Sequence, residues 1–204
     1  AKVTAPLLSF NAGGAIAKTQ VYAKWKGIPY ARRYVVPANP QSTAQSLTRN
    51  VFTTLTQIWK NFSSDLSAPW VAFATGKALT DRNAFLKFNV ASLRAGTTWT
   101  GYVGSPSANG GVALISAPAT GGAGTIDVTA TAPTPPVGWT LTKVVSFARI
   151  DDDPHTTTDF AVFTASDSSS PFAPAFTGLA AGDYIVSTWP VWTKDDGKLA
   201  YGNS

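Results

Sequence analysis

The residues of this chain best suited to chemistry are carboxylates, and their largest cluster is the stretch IDDDPH, residues 150–155. It joins three consecutive aspartates to the only histidine, a set that suggests a metal-binding or catalytic site. The stretch lacks the glycine and the distal glutamate of a calcium loop, and one histidine beside three aspartates is not a zinc pattern. We therefore predict a solvated turn between two strands, with weak calcium binding as the alternative.

Candidates for nucleophilic or acid–base catalysis are scarce in the rest of the chain. A Ser-His arrangement would have to use the same histidine, and no G-x-S-x-G motif is present. The chain has no glutamate, and Asp195 and Asp196, which precede Gly197, are typical of a hairpin turn. The sequence therefore predicts a protein that is not an enzyme and that uses neither a metal nor a cofactor.

A second group of residues is suited to binding. The stretch KWKGIPYARRY, residues 24–34, interleaves cations with aromatic residues. The candidate partner-binding residues are Lys24, Trp25, Lys26, Tyr30, Arg32, Arg33 and Tyr34. Such interleaving occurs in proteins that bind single-stranded nucleic acid. The alternative, which we favour because of the alternation, is an edge hairpin whose aromatics enter the core while its cations stay in solvent or pair with a neighbouring subunit.

Charge is sparse and unevenly distributed along the chain. Residues 1–96 carry twelve Lys and Arg against two Asp, and residues 97–204 carry four against nine, which gives net charges of +10 and −5. A chain with this polarity is suited to bind an acidic partner with one end or to stack head to tail on its own copies. There is no cysteine, so burial must stabilise the fold.

Neither a targeting segment nor a membrane span is predicted. The first residues lack the basic and apolar regions of a secretory signal, and no apolar stretch reaches the length of a transmembrane helix. We therefore expect a soluble protein made in the cytosol, with a processed precursor as the alternative.

The binding residues are predicted to lie on a hairpin that precedes a helix. The runs KTQVYAKWKG and IPYARRYVVP alternate in polarity and are separated at Gly27, and Pro29 places the second run on an edge strand. A helix follows over residues 42–62, because apolar residues recur there at steps of three and four. Ser42 and Gln45 are expected to form its capping box.

Two shorter helices are predicted after this one. The first is expected to place Pro69 in its first turn after a Ser67 cap. The second is expected to begin at Thr80 or Asp81 and to bury Phe85 and Phe88.

The amino-acid composition changes after the predicted helices. Residues 96–124 are rich in glycine, and beyond them short apolar runs alternate with clusters of Pro, Gly, Asp and Ser. We predict an α+β protein with a basic hairpin-and-helix domain at residues 1–96, a Gly-rich linker at residues 97–111 and an all-β, immunoglobulin-like sandwich at residues 112–204.

The end of the chain resembles a fibronectin type III or related immunoglobulin-like domain. The resemblance rests on Leu179, Gly182 and Tyr184, which match the corner that leads into a late strand of that family, with Tyr184, Val186 and Thr188 pointing inward. It covers roughly residues 112–204. The chain stops where the last strand of that family runs on, so that strand is expected to be short or to be completed by a neighbouring chain.

The stretch KWKGIPYARRYVVPANPQSTAQSLTRNVF resembles a segment found in structural proteins of tailed-bacteriophage virions. The recurring pattern is K-x-K-G, then Y-x-R, then P-x-N-P, then A-Q at the start of a helix. The matching residues are Lys24, Lys26, Gly27, Tyr30, Arg32, Pro37, Asn39, Pro40, Ala44 and Gln45. The resemblance implies a structural component of a phage particle.

These observations lead to one functional expectation with two alternatives. The expectation is a capsid-associated decoration, or cement, protein in many copies, which binds the major capsid protein or other virion proteins through residues 24–34. A tail, neck or baseplate component is the alternative within the same class. A host-surface carbohydrate-binding module is the other alternative, and it requires Trp189 and Trp192 to form an exposed platform. The expected location is the virion, with no membrane association, and a nucleic-acid partner is not favoured.

Overall fold

The computed structural model describes residues 13–94 and 96–204. The described residues form three helices and three antiparallel sheets, so the predicted α+β class is confirmed. The helices are α1 (Thr43–Lys60), α2 (Ser64–Ala74) and α3 (Asp81–Leu93). The strands are β1 (Gly14–Ile16), β2 (Gln20–Trp25), β3 (Ile28–Arg33), β4 (Ala119–Gly122), β5 (Thr125–Val128), β6 (Trp139–Ile150), β7 (Phe163–Asp167), β8 (Ala175–Thr177), β9 (Tyr184–Lys194) and β10 (Leu199–Tyr201).

The chain divides into two compact units, Ala1–Gln41 and Ser42–Ser204. The first unit contains a three-stranded antiparallel sheet in the order β1-β2-β3. Strands β2 and β3 form the predicted hairpin, whose turn residues Lys26 and Gly27 both have positive φ, as a tight two-residue turn requires. Pro29 lies on the edge strand β3, as predicted, where its missing N–H removes no ladder bond.

Helix α1 opens the second unit and follows the predicted apolar stripe. Val51, Leu55 and Ile58 are fully buried along one face. The predicted capping box is wrong, because the Ser42 side chain makes no capping hydrogen bond in the structure. The helix is therefore fixed by burial of its stripe and not by its first turn.

The predicted position of Pro69 in α2 is wrong, whereas the predicted start of α3 is confirmed. Pro69 lies in the middle of α2 and not in its first turn. Burial of Leu66 and Trp70 on either side of Pro69 overrides the helix-breaking effect of the proline. At α3 the prediction holds, because the Thr80 hydroxyl accepts a hydrogen bond from the Asn83 N–H.

The β-rich part of the second unit contains two sheets. One has the order β10-β9-β6-β7 and the other the order β4-β5-β8. Their facing side chains share one cluster, in which Ile126 and Phe176 of the smaller sheet pack with Ala148 and Ala165 of the larger sheet. The Tyr184 hydroxyl donates to the carbonyl of Ala180, four residues earlier.

The helices pack on the larger sheet and are not separated from it by a linker. Phe62 and Leu66 belong to the same cluster as Phe147 and Trp189 of that sheet. Residues 97–111 are part of this packing, since Trp99, Ser105 and Ala108 are buried. The structure therefore differs from the predicted division at residues 97–111, because the glycine-rich segment is integrated into the core and the boundary lies between residues 41 and 42.

The last strand, β10, is short, as one of the two expectations had it, and its outer edge is partly occupied by this chain. Strand β10 pairs with β9 on one side, and on its other side Tyr201 exchanges two backbone hydrogen bonds with Ala108. The outer edge of β10 is therefore occupied at Tyr201 by this chain and needs no neighbouring chain there. One of the apolar runs beyond the helices, GVALIS at residues 111–116, forms no strand in the described structure, apart from an isolated bridge between Ser116 and Thr131.

Candidate interaction surface

The seven predicted partner-binding residues lie on or beside the β2–β3 hairpin, but not on one face. The strand register places cross-strand partners on the same face. One face carries Trp25, Ile28, Tyr30, Ala23, Val21 and Arg32, and we call it the aromatic face. Lys24 and Arg33 lie on the opposite face, Lys26 lies in the turn, and Tyr34 follows β3, where its N–H donates to the Thr19 carbonyl.

The aromatic face is exposed at the end of the hairpin nearest the turn. Trp25 is 63% exposed and its cross-strand partner Ile28 is 46% exposed, whereas Tyr30 and Tyr34 are half-buried. The expectation that the aromatics enter a core is therefore wrong for Trp25. The reason is size: none of the described residues of the first unit is fully buried, so its sheet has no interior in which Trp25 fits.

The cations of the hairpin are exposed and lack acidic partners. Among the ion pairs formed by residues 13–94 and 96–204, none involves Lys24, Lys26, Arg32 or Arg33. The Lys26 ammonium lies 5.7 Å from the centroid of the Trp25 ring, at the outer limit of a cation–π contact. Residues 1–41 contain six Lys and Arg and no carboxylate side chain, so the field around this unit attracts anionic groups.

The IDDDPH stretch is not the solvated turn that its sequence predicts. Asp152 accepts a 2.6 Å hydrogen bond from the fully buried Arg149, a 3.2 Å hydrogen bond from the Trp99 indole and a further one from the Thr157 hydroxyl. The Arg149 guanidinium also lies 4.2 Å from the centroid of the Trp99 ring. Asp152 is therefore the counterion of a buried arginine, while Asp151 remains exposed as predicted.

His155 is also a structural residue in this arrangement. Its side chain is almost fully buried, with its Nδ1 atom 3.0 Å from the Asp153 carboxylate. The preceding carbonyl of Pro154 accepts a hydrogen bond from Thr54 of α1, which ties the stretch to the helix. In the part of the chain that the structure describes, no group of three or more His, Cys, Asp or Glu side chains is arranged to hold a metal ion.

Two of the pKa shifts outside the hairpin are large, and both accompany local structure. The N–H groups of Ala173 and Ser169 and the Ser169 hydroxyl all donate to Asp167, and they lower the pKa of its carboxyl to about 2. Burial raises the pKa of the Tyr102 hydroxyl well above its ordinary range, although the nearby Arg149 charge opposes the shift. Both shifts follow from local hydrogen bonding or burial.

The predicted carbohydrate platform is absent, because Trp189 and Trp192 are both fully buried. The Trp192 indole donates to the Val112 carbonyl, and Trp189 packs in the cluster between the helices and the larger sheet. Neither ring is accessible to a sugar.

Comparisons of the chain with protein-family models, with curated proteins and with solved structures found no significant match. No helix formed by the described residues is both long and apolar enough to cross a membrane.

The candidate interaction surface is the exposed basic and aromatic hairpin. Sequence analysis missed two residues of the second unit, the buried Arg149 and Trp99, whose ring contacts it. A single arginine within the apolar run VVSFARI was the available signal for a buried charge.

Proposed function

We propose that this chain is a structural protein of a bacteriophage virion, and specifically a capsid-associated decoration protein whose β2–β3 hairpin anchors it to the shell. The observation that carries the proposal is the exposed pair of Trp25 and Ile28 on the aromatic face, which also carries Arg32, with Lys26 in the adjoining turn. Aromatic residues and arginine are enriched at the centres of protein interfaces, where they contribute most of the binding free energy. Contiguous exposed apolar side chains, such as this cross-strand pair, are a feature of protein interaction sites.

The distribution of charge and rings favours a protein partner over nucleic acid. A single-strand binder uses cations and stacking rings along one groove. Here Lys24 and Arg33 lie on the face opposite Trp25 and Tyr30, and only Arg32 shares the aromatic face. A partner that presents an apolar pocket surrounded by carboxylates would satisfy both the ring and the cations.

The second unit would be the body that the hairpin attaches to the particle. We infer that its sheets belong to the immunoglobulin-like sandwich class, in line with the sequence resemblance. Support comes from the shared core of two antiparallel sheets and from the Tyr184 hydroxyl, which bonds back to the Ala180 carbonyl as in a tyrosine corner. The helices that cover the other face of the larger sheet are an addition to that class.

Copy number and anchoring can be tested together on purified particles. We expect quantitative mass spectrometry to find this chain at an abundance close to that of the major shell protein, and Trp25→Ala to weaken its binding to particles stripped of it about tenfold to a hundredfold. Val137→Ala is the matched control, because Val137 is fully exposed in the second unit.

A copy number of a dozen or fewer would assign the chain to the neck, tail or baseplate instead of the shell. Absence of the chain from particles would overturn the virion proposal. Equal binding of Trp25→Ala and Val137→Ala would show that the aromatic face is not the anchor.

A further inference from the structure

The larger sheet of the second unit has an incomplete edge. Strand β9 pairs with β6 along its whole length, from Tyr184 to Lys194. On its other side β9 pairs with β10 only over residues 191–193. The remaining part, residues 184–189, has no second strand beside it among the described residues, so the edge is open over about 16–20 Å at the usual rise per residue.

The main-chain groups that face this open edge can be identified from the ladder. The Gly202 N–H donates to the Pro190 carbonyl, so the main-chain groups of residue 190 point away from β6. Because strand geometry repeats every two residues, the N–H and C=O groups of Val186 and Thr188 point the same way. Neither residue has a backbone hydrogen bond to any described residue outside the β6 ladder.

A cleft of about 450 Å³ lies along this edge. Residues 185–188 line it together with residues 113, 114, 116, 117, 203 and 204 and two aromatic residues, Trp99 and Tyr102. None of these side chains is charged, and the Tyr102 hydroxyl has no hydrogen-bond partner in the described structure. Ser116, which also lines the cleft, is bridged to Thr131 beyond β5. Unpaired main-chain groups in an uncharged cleft of this kind are suited to receive an extended polypeptide strand.

The same chain offers an extended and uncharged segment. Residues 34–40, YVVPANP, follow β3 and form neither helix nor strand. Pro37 and Pro40 restrict the residues before them to extended conformations. Val35 and Val36 are 68% and 73% exposed, so both apolar side chains are available to a partner. The segment contains no charged side chain, which matches the uncharged side chains of the cleft.

We propose that the open edge of β9 receives residues 34–38 of a second copy of this chain. The inserted segment adds a strand beside Tyr184–Thr188 in place of the missing continuation of β10, and one of its two valines enters the cleft. If each of two copies donates to the other, the assembly closes as a symmetric dimer, and if donation runs onward it forms a ring or a filament. The inference concerns contacts between copies and does not depend on a phage shell.

Sedimentation velocity and amide hydrogen exchange of the full chain test the proposal in solution. We expect a species heavier than the monomer to grow with protein concentration. Val35→Asp or Val36→Asp is expected to raise the dissociation constant of that species about tenfold or more, because a carboxylate would have to enter an uncharged cleft. Val137→Asp, which adds the same charge at a fully exposed valine, is expected to leave the association unchanged.

Thr188→Pro tests the receiving edge. It removes the main-chain N–H of residue 188, which points away from β6. Pro190, two residues further along β9, faces the same way, so the native strand already contains a proline in such a position. We expect it to abolish the association while circular dichroism shows a folded protein. The N–H groups of Val186 and Thr188 in the unaltered chain are expected to exchange slowly in the associated form and fast in the monomer.

Three results would overturn the proposal. The first is a protein that stays monomeric at all concentrations with fast exchange at Val186 and Thr188. The second is a monomer in which those two N–H groups are protected, since the edge would then be covered within one chain. The third is an association that Thr188→Pro abolishes and that both Val35→Asp and Val36→Asp leave intact, because the donor would then be another segment.

Discussion

Replacement of Asp152 by alanine should destabilise the second unit more than any other change of a single aspartate. Arg149 is fully buried and its only carboxylate partner in the described structure is Asp152, at 2.6 Å. The variant would leave the guanidinium with the carbonyls of Ile150 and Asp159, both at 3.1 Å, and with the ring of Trp99. A buried cation would then lack a compensating charge.

The expected loss is set by what Asp152 contributes. Removing one partner of a buried ion pair costs about 3–5 kcal/mol, and the Trp99 indole would lose its acceptor, whereas the Thr157 hydroxyl would keep the Asp159 carbonyl as an acceptor. The Asp152 side chain is 29% exposed, so water can replace part of the interaction. We therefore expect a loss of about 3 kcal/mol in the free energy of unfolding, near the lower limit. For a unit of this size that corresponds to a decrease of about 6–12 °C in Tm.

Urea unfolding and calorimetry at neutral pH would measure this loss, with Asp151→Ala as the matched control. Asp151 is adjacent and exposed, so its removal should change stability by less than about 0.5 kcal/mol. In the double variant Arg149→Met with Asp152→Ala, part of the stability should return, because no buried charge remains. If Asp152→Ala and Asp151→Ala were equally stable, the view that this stretch neutralises a buried arginine would be refuted.

Three further predictions concern a cap, a close contact and a titration. Thr80→Ala should lower the free energy of unfolding by about 1 kcal/mol in urea titrations because it removes a capping hydrogen bond, whereas Ser42→Ala, which removes none, should be near neutral. Gly111→Ala should lower Tm, because its Cβ would lie 2.1 Å from backbone atoms of the last strand, while Gly121→Ala meets no atom within 4 Å and should have little effect. Asp167→Asn should lower Tm at pH 7 but not at pH 2: the lowered pKa of Asp167 stabilises the fold above the unfolded pKa near 4, and this stabilisation is lost as pH falls towards 2.

Elements whose formation depends on a local pattern were predictable. The stripe of α1 and the alternation of the hairpin appear in the sequence at the periods of helix and strand, and both elements form within a few residues of the predicted bounds. Helix α2 was misplaced because a local rule put Pro69 at the start of the helix. The position of α2 is instead set by burial of Leu66 and Trp70 against distant residues, such as the Gly104 carbonyl that accepts the Trp70 indole hydrogen.

The glycine-rich segment was misinterpreted because glycine has two different uses. A linker uses glycine for flexibility, but a packed segment uses it where two parts of the chain approach closely. A Cβ on Gly104 would lie 2.6 Å from the Ser187 hydroxyl, and one on Gly111 would overlap with Tyr201. The local composition cannot distinguish the two uses, because the residues that approach Gly104 and Gly111 closely, Ser187 and Tyr201, lie more than eighty positions further along the chain.

The candidate surface was predictable in its residue types but not in its arrangement. The sequence identifies the cations and rings of residues 24–34, whereas their division between two faces depends on the register of β2 and β3. Moving the turn by one residue would shift that register and bring Trp25 opposite a different partner. The exposure of Trp25 depends in addition on the size of the first unit, which the predicted domain boundary near residue 96 overestimated.

The uneven charge of the chain is present at its surface and is not cancelled by internal pairing. In the described part of the second unit, Lys143, Arg149 and Lys198 each pair with an aspartate, while the Lys194 ammonium donates to the Asn109 carbonyl. The cations of the second half are thus already engaged, and the surplus is of aspartates. The hairpin cations have no such partners among the described residues. The first unit carries a net charge of +6, whereas the second unit, with ten Lys and Arg against eleven Asp, carries −1, so the strong field around the chain belongs to the first unit. A negatively charged partner would orient the chain before contact, with the hairpin towards its carboxylates. At low salt this orientation would increase the rate of the proposed anchoring more than its affinity.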